Sequence, residues 1–397
     1  MNLKRLLLIF IPGMLLCTVP CFAQFRKYSN EFLNIGVGAR GLGMGSTQVA
    51  SADDATAGYW NPAGLVNVSE NPTVSLMHAD YFAGIGKYDF LSAAMPINGG
   101  NKTLGITMLR FGVDDIPNTL YLINPDGSVD YNNIQSFSSA DYAFLLSYSQ
   151  VIKNDDDVQF SWGANTKIIY RKVGTFATAW GFGFDFGLLY KTPTWRFGVT
   201  AKDITTTFNA WSFSFTDQEK QALYLTDNDI PVKSTELTAP SCLFGGGYNF
   251  PIGEKFHLLA ETDLDFTFGG RRNTLISSDY INVDPKIGLE ANINNTVFIR
   301  AGASNFQQGL ADGDTLNQKK VWIFQPSIGA GFKIGNVAID YAFTNLANQS
   351  SPLYTHVFSL RIDLVPKNKE GSSRKVYIPV LPKADKPKTG KVYIPQL

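Results

Sequence analysis

The sequence predicts an all-β fold: a transmembrane barrel of about 14 antiparallel strands, with an N-terminal glycine-rich plug that contains a short helix. Three observations predict it. Apolar and polar residues alternate with a period of two from Thr73 to Leu364, only 17% of the residues are charged, and the N-terminal residues resemble an export signal. Soluble proteins carry about 25% charged residues. The deficit indicates that much of the surface faces something other than water.

Residues 1–23 are predicted to be a secretory signal peptide. Lys4 and Arg5 precede an apolar run, and Ala23 ends a small-x-small cleavage site. Cleavage would leave Cys242 as the one cysteine, so no internal disulfide is expected; lipidation of Cys21 is the alternative. The mature chain has a slight acidic excess, which gives no support to a nucleic-acid partner.

Residues 24–72 are predicted to form the plug. Five glycines fall within ten residues, a density that tolerates positive φ and close backbone contact. Ser51 and Asp54 have the spacing of a capping box, and the residue before a proline leaves the α region, so a short helix should end near Trp60. The residues of this motif are Gly36, Gly38, Arg40, Gly41, Gly43, Gly45, Asp53, Asp54, Trp60, Asn61 and Pro62.

Residues 73–365 are predicted to form the barrel. Most candidate strands are close to the roughly 9–11 residues that cross a bilayer at a tilt. The candidates are 73–81, 88–97, 103–111, 139–152, 157–172, 176–191, 194–205, 239–250, 256–268, 281–293, 296–304, 321–334, 336–346 and 354–364.

The connections between these strands alternate between short and long. The long ones are 112–138, 206–238, 269–280 and 305–320. Alternating hydrophobicity alone also fits a soluble sandwich, but a sandwich has no reason to sort its loops by length. Short turns at one end and long loops at the other are typical of outer-membrane barrels. We therefore expect the outer membrane of a Gram-negative bacterium, with both termini periplasmic.

A barrel in lipid turns its charged side chains toward the lumen. The residues expected there are Lys167, Asp185, Glu261, Asp263, Asp265, Lys286, Glu290, Arg300, Asp340, Arg361 and Asp363. Buried charge needs partners, which favours ion pairs across the lumen and with the plug, for instance through Arg40. The alternative is a polar permeation path.

Residues 366–397 are predicted to be a disordered, basic and proline-rich periplasmic tail. A KVYIP sequence occurs twice in it, and its core residues are Val376, Tyr377 and Ile378, then Val392, Tyr393 and Ile394. Two such extended segments could add as strands to the sheet edge of a partner protein. A solvated linker is the alternative.

No catalytic, cofactor or metal site is predicted. Gly36-x-Gly38-x-x-Gly41 matches a dinucleotide fingerprint, but the required preceding strand and long helix are missing. The three histidines are isolated from one another and from Cys242. No serine or cysteine stands in a recognisable nucleophile motif.

The plug motif resembles the N-terminal signature of the PorV/PorQ proteins, within the broader FadL-like group of 14-stranded barrels. The matching segments are Phe32-Leu33, Gly38-Ala39-Arg40, Gly43-Met44-Gly45, Ala52 to Ala57 and Trp60 to Leu65. The resemblance implies an outer-membrane component of type IX secretion that holds secreted cargo or a surface partner. The Gly45-Ser46-Thr47 step and the KVYIP tail depart from the family pattern.

Two functions are therefore open. The first is a non-enzymatic anchor or scaffold whose long loops hold a surface or secreted partner, with Phe208, Trp211, Phe213 and Phe215 as a candidate contact strip. Those four residues could instead extend the neighbouring strands. The second is a FadL-like transporter of hydrophobic small molecules. An apolar pocket with a lateral opening would favour transport, and a charged, filled bore would favour the anchor.

Overall fold

A single sheet closes on itself to form a barrel, and the side chains of its strands alternate between the inside and the outside. The computed structural model describes residues 29–364 except 69, 82–83, 125, 156, 232–233, 254, 311–319 and 345–354. The predicted signal peptide and the KVYIP tail lie outside this part of the chain.

The described residues contain seventeen strands, numbered β1 to β17 in chain order. They are β1 Thr73–Tyr81, β2 Gly86–Ile97, β3 Lys102–Asn118, β4 Gln135–Asn154, β5 Gln159–Val173, β6 Ala177–Lys191, β7 Trp195–Lys202, β8 Thr207–Phe213, β9 Ser234–Thr238, β10 Ser241–Ile252, β11 Phe256–Thr267, β12 Ile276–Ser277, β13 Asn282–Ile293, β14 Val297–Leu310, β15 Lys320–Ile334, β16 Val337–Thr344 and β17 Thr355–Asp363.

Fourteen of these strands form a closed antiparallel ring. β1 pairs with β2 on one side and with β17 on the other, β7 pairs with β10, and β11 pairs with β13. β8, β9 and β12 lie outside the ring. The predicted 14-stranded barrel is confirmed.

The outer face is apolar and the lumen holds the charges. On β6, Trp180 is 59% exposed on the outside, whereas Asp185 on the inner face is 5% exposed. Lys167, Glu261 and Asp263 are also buried inside. The ionic side chains thus face the interior of the cylinder, as expected for a barrel whose outer wall contacts lipid.

Two short helices, α1 Ala39–Gly43 and α2 Ala57–Trp60, lie in the plug, and α3 Asp217–Leu225 follows β8. Short 3₁₀ turns flank them at Glu31–Leu33 and Pro62–Asn67. None of the helices in the described residues is long and apolar enough to cross a membrane.

The predicted capping box is wrong, although the helix does end at Trp60. α2 begins after Thr56, and Ser51 does not cap it. Asp54 Oδ1 instead accepts hydrogen bonds from the backbone N–H of Thr56 at 2.8 Å and from Thr56 Oγ1 at 2.5 Å. A local turn therefore forms where the spacing predicted the first helical turn.

Two predicted loops are partly strand. The predicted loop 206–238 contains β8, α3 and β9; β8 pairs with the start of β6, and β9 pairs with β8. The predicted loop 112–138 shortens to 119–134, because a register shift between Val113 and Ile116 lets β3 continue. In the loop 206–238 the alternative that its aromatic residues extend the neighbouring strands is correct for β8; the extension of β3 into the loop 112–138 was not predicted.

The plug runs the length of the lumen. At its start, Asn209 Nδ2 donates to Asn30 Oδ1 at 3.0 Å, and Asn30 Nδ2 donates to Thr238 Oγ1 at 2.8 Å, both at the long-loop end. At its far end, the backbone N–H of Leu364 donates to Pro72 at the short-turn end. The predicted periplasmic termini fall on residues outside the described range, but the chain at Ser29 lies at the opposite end from Leu364.

Substitution of arginine for Leu289 tests the orientation of the wall. Leu289 is 48% exposed on the outer face of β13, so Leu289→Arg should cost about 2–4 kcal/mol of unfolding free energy if that face contacts lipid. The measurement is denaturant unfolding in lipid vesicles. Tyr280→Arg, at a loop position that is 87% exposed, is the control; equal effects of the two substitutions would contradict a lipid-facing wall.

Candidate functional site

Glycines in the wall let the backbone of the plug touch the backbone of the strands. A Cβ at Gly302 of β14 would lie 2.1 Å from the carbonyl carbon of Met44, and one at Gly198 of β7 would lie 2.2 Å from the carbonyl oxygen of Val49. No side chain fits in those spaces. The plug is therefore seated directly against the barrel wall.

Of the predicted plug glycines, Gly43 and Gly45 lie against the wall, whereas Gly36, Gly38 and Gly41 pack against residues of the plug itself. A Cβ at Gly45 (φ 67°) would lie 2.6 Å from the backbone nitrogen of Ala303. The remaining contacts place Gly36 and Gly41 against Trp60, Gly38 near Thr56, Gly43 against Gly329, and Pro62 against Gly163. Trp60 Nε1 donates to the carbonyl of Val37 at 3.1 Å, and Asn61 Nδ2 donates to that of Val49 at 2.8 Å.

Arg40 of the plug joins a chain of buried charges in the lumen. Its guanidinium donates to Asp53 at 2.6 Å and to Glu290 at 2.9 Å. Arg300 donates to the same Glu290 at 2.6 Å and to Asp340 at 2.7 Å. Removing Arg40 would leave buried acidic groups short of one partner, so the network ties plug to wall.

The paired aspartates of the plug face two more wall cations. Arg361 lies 3.1 Å from Asp54, and Arg196 lies 3.8 Å from Asp53. Burial disfavours the charged form of Asp53, but the neighbouring Arg40 and Arg196 outweigh it and hold the pKa of this carboxyl below its usual value. Asp53 therefore stays ionised at neutral pH.

Two wall carboxylates bind the plug through its backbone. Asp263 Oδ2 accepts from the N–H groups of Gln48 at 2.9 Å and Val49 at 3.1 Å, and Glu261 Oε1 accepts from Ala50 at 2.8 Å. These hydrogen bonds satisfy amides that have no secondary-structure partner, which a buried segment requires.

A second ionic group lies nearer the long loops. Lys167 contacts Asp185 at 2.8 Å and also Asp203, which accepts a hydrogen bond from Thr207. Asp203 was not predicted as a lumen residue because it follows β7 in a turn, with a φ of 56°. The pairing of Lys167 and Asp185 follows the prediction that lumen charges pair with one another.

A cavity of about 530 Å³, here called the cup, lies between the plug and the long-loop end. Leu42, Gly45 and Ser46 of the plug contribute to its lining, together with Leu243, Phe268, Asp265, Asp284, Lys286 and Gln307 of the barrel. Ser29, Glu31 and Ile35 of the plug also line the cup, so the cup lies beside the first residues of the plug at the long-loop end. Its lining is both apolar and polar, so neither predicted criterion, an apolar pocket or a fully filled bore, is met outright.

The four aromatic residues predicted as one contact strip do not share a face. Phe208 points outward and is 44% exposed, whereas Trp211 points inward and donates from Nε1 to Glu236 at 2.9 Å. Trp211, Phe213 and Phe215 stack in sequence, with ring centroids 6.3 and 6.5 Å apart. The period of two in β8 separates residue 208 from residue 211. The predicted tail contacts, in the two KVYIP sequences, lie outside the described residues.

The comparisons with known proteins identify the fold. No family model and no curated protein matches the chain. The structure of the CymD monoaromatic hydrocarbon channel is similar with a TM-score of 0.51 and 13% identity, covering 84% of this chain and 98% of that one. The toluene transporter TodX of Pseudomonas putida gives 0.50 and 14%, covering 83% and 98%, and TbuX of Ralstonia pickettii gives 0.50 and 13%, covering 83% and 99%.

These neighbours are FadL-like outer-membrane barrels, and they are channels or transporters rather than enzymes. At this level of identity the likeness establishes the architecture. None of the comparisons singles out the PorV/PorQ family, so that finer assignment stays a prediction.

The seat of the plug can be tested at a single wall position. In Gly302→Ala the new methyl group would collide with backbone atoms of Met44 and Gly45, which should displace the plug and lower stability by about 1–3 kcal/mol. Gly246→Ala is the matched control, because the nearest atom to its Cβ lies 3.8 Å away. Thermal unfolding and limited proteolysis of the plug are the measurements. Equal behaviour of the two variants would contradict a tightly seated plug.

Proposed function

We propose that this chain is a FadL-like outer-membrane channel that admits small hydrophobic molecules from the outside through the cup. The observation that carries the proposal is the cup itself. A cavity of about 530 Å³ is within the usual range of roughly 300–1,000 Å³ for small-molecule sites. It lies at the end of the barrel that carries the long loops, where a molecule from outside would arrive.

The proposed location follows from the two faces of the wall. Exposed aromatic and aliphatic side chains cover the outside, for example Phe182, Phe244 and Ile299. Such a surface is stable in lipid and aggregates in water. The fold neighbours named above are channels or transporters of hydrocarbons, which supports the same function by analogy of fold. The chain is proposed to act without catalysis.

Passage beyond the cup requires the plug to move. The plug lies directly below the cup, and Arg40, Asp263 and Glu261 hold it against the wall. Each of the fourteen ring strands is paired with both of its neighbours, so we place the route through the plug. The proposed channel is therefore closed as described, and a shift of the plug would open it.

An anchor resembling PorV/PorQ, in type IX secretion or a related outer-membrane complex, is the second candidate. One observation favours it: α3 at the long-loop end has no buried residue, and Tyr224 and Leu225 are 80% and 66% exposed. Exposed apolar residues outside the barrel would suit a protein partner. The periplasmic tail with its two KVYIP sequences would hold a second partner. This function needs no motion of the plug.

A disulfide between plug and wall separates the two candidates. A Cβ at Gly58 would lie 3.9 Å from Cβ of Ser147 on β4, within the range of about 3.5–4.5 Å that a disulfide requires. In a Cys242→Ser background, oxidised Gly58→Cys/Ser147→Cys should admit the hydrophobic probe N-phenylnaphthylamine about tenfold more slowly than its reduced form, because the plug is locked. The assay is probe fluorescence in cells that carry the protein in the outer membrane.

The single substitution Gly58→Cys in the same background is the control, and oxidation should not change its uptake. Equal uptake by the oxidised and reduced double variants would contradict the channel. Co-purification of a surface partner with the locked protein would then favour the anchor.

A further inference from the structure

One sector of the wall departs from the apolar outer face of the barrel. His78 and Asp80 of β1, Asp89 of β2 and Arg110 of β3 point outward, and together they are here called the ionic patch. Their side chains are 52%, 54%, 45% and 30% exposed, in that order. A lysine or arginine on a lipid-facing wall costs about 2–4 kcal/mol at the middle of the bilayer and less near its surfaces. The depth of the patch in the membrane therefore matters.

Exposed aromatic side chains mark the two borders of the lipid-facing band. Trp180 of β6 and Trp322 of β15 lie at the long-loop border, and Tyr190 and Trp195 lie at the short-turn border. Between these borders, the outward positions of the described ring strands other than β1, β2 and β3 hold no aspartate, glutamate, lysine or arginine. The ionic patch is thus confined to one sector of the wall.

His78, Asp89 and Arg110 share one hydrogen-bonded row of the sheet. The row continues through two tyrosines, on β4 and β5, to Trp180 at the long-loop border. Each residue of the ionic patch lies nearer to the short-turn end of its strand than Trp180 does to that of β6. Because the strands of a barrel are tilted, the row descends into the membrane from Trp180 toward β1. The patch therefore lies below the long-loop border, at a depth where the rest of the wall is apolar.

The outer face of β1, β2 and β3 also lacks the aromatic side chains of the borders. Its other exposed large residues are aliphatic, as Leu76, Leu91 and Ile106 show with exposures of 40%, 44% and 53%. Aromatic residues of these strands, for example Tyr88 and Phe90, point inward and are buried. Aromatic belts anchor a wall in lipid. A sector that has charges and no belt is suited to contact with protein rather than with lipid.

Charge pairing within the ionic patch is incomplete. Asp89 is paired with His78 at 2.7 Å and with Arg110 at 3.1 Å. Asp80 has one ion-pair contact among the described residues, with Nε2 of His78 at 3.7 Å, which is beyond hydrogen-bond distance. The guanidinium of Arg110 has more N–H donors than its contact with Asp89 uses. One carboxylate and one guanidinium therefore keep capacity for a partner outside the chain.

The occupant that matches this patch is a second copy of the chain. A lipid phosphate would be repelled by Asp80 and Asp89, and it lies at the membrane surface rather than at the depth of the patch. The patch carries both signs of charge, so it is complementary to itself. Two barrels in one membrane share their orientation, so a two-fold axis between them runs along the membrane normal. With β2 on that axis, β1 of each copy faces β3 of the other, and Asp80 faces Arg110.

We propose that two copies of this chain pair in the membrane through the outer faces of β1, β2 and β3. Asp80 of each copy accepts hydrogen bonds from Arg110 of the other, and the aliphatic side chains around the ionic patch pack across the axis. Pairing removes the patch from lipid. The inference concerns the outer wall and does not depend on what passes through the cup.

Crosslinking of single cysteines in outer membranes tests the second copy. In a Cys242→Ser background, Leu91→Cys places a thiol on the outer face of β2, and Leu264→Cys places one on the outer face of β11, across the ring. The two leucines are 44% and 37% exposed. A short bis-maleimide should convert about tenfold more of the Leu91→Cys variant than of the Leu264→Cys variant into a dimer, because β2 lies on the two-fold axis.

Removal of the charges tests whether the ionic patch holds the two copies together. Asp89→Leu/Arg110→Leu removes one charge of each sign and leaves an apolar wall. In the Leu91→Cys variant it should lower the crosslinked fraction about tenfold, without lowering the free energy of unfolding in lipid vesicles. Arg271→Leu/Asp279→Leu makes the same exchange at an ion pair in an exposed loop, where the side chains are 70% and 76% exposed. This control should leave crosslinking unchanged.

The mass of the assembly identifies the occupant. Native mass spectrometry of the full chain in lipid nanodiscs, without an added cysteine, should give the mass of two copies. A single chain, with or without bound lipid, or a complex with a different protein would overturn the inference. Equal crosslinking from positions 91 and 264, or crosslinking that survives Asp89→Leu/Arg110→Leu in a barrel that heat-modifiable migration shows to be folded, would overturn it as well.

Discussion

Direct contact between the backbone of the plug and the backbone of the wall is the constraint on which the rest of this structure depends. It requires glycines in the wall and glycines in the plug. Gly302 of the wall lies against Met44, and Gly45 of the plug lies against Ala303. A buried irregular segment also carries amides that no strand satisfies. Asp263 and Glu261 accept hydrogen bonds from those amides, so carboxylates that the plug shields from water become its hydrogen-bond partners.

The same contact explains how so many charges are kept inside a lipid-facing barrel. Glu290 is bound by one arginine from the plug and one from the wall, Arg40 and Arg300. Because the plug excludes water from these wall groups, it must also supply ionic partners for them. Plug and barrel are therefore interdependent: each satisfies polar groups that the other buries. The cup is a cavity in the described lumen with capacity for a ligand.

Much of this architecture can be predicted from the sequence, because alternation with a period of two shows which side chains of a strand share a face. That pattern predicts the fourteen ring strands and places Lys167, Asp185 and Arg300 in the lumen. It does not predict which charged side chains form ion pairs with one another. Arg40 and Glu290 are 250 positions apart in the sequence, and their contact depends on the path of the plug through the lumen. The capping box at Ser51 failed because the side chain of Asp54 forms a local turn with Thr56 instead. β8 was missed because its strand pattern lay inside an apparent loop.

Hydrogen–deuterium exchange of the plug amides in a lipid bilayer tests the central claim most directly. If the plug is seated in the barrel by backbone contact and by Asp263 and Glu261, the amides of Gln48, Val49 and Ala50 will exchange as slowly as those of the neighbouring strand β11. Exchange of these three amides at the rate of an unstructured loop, while β11 stays protected, would contradict the account.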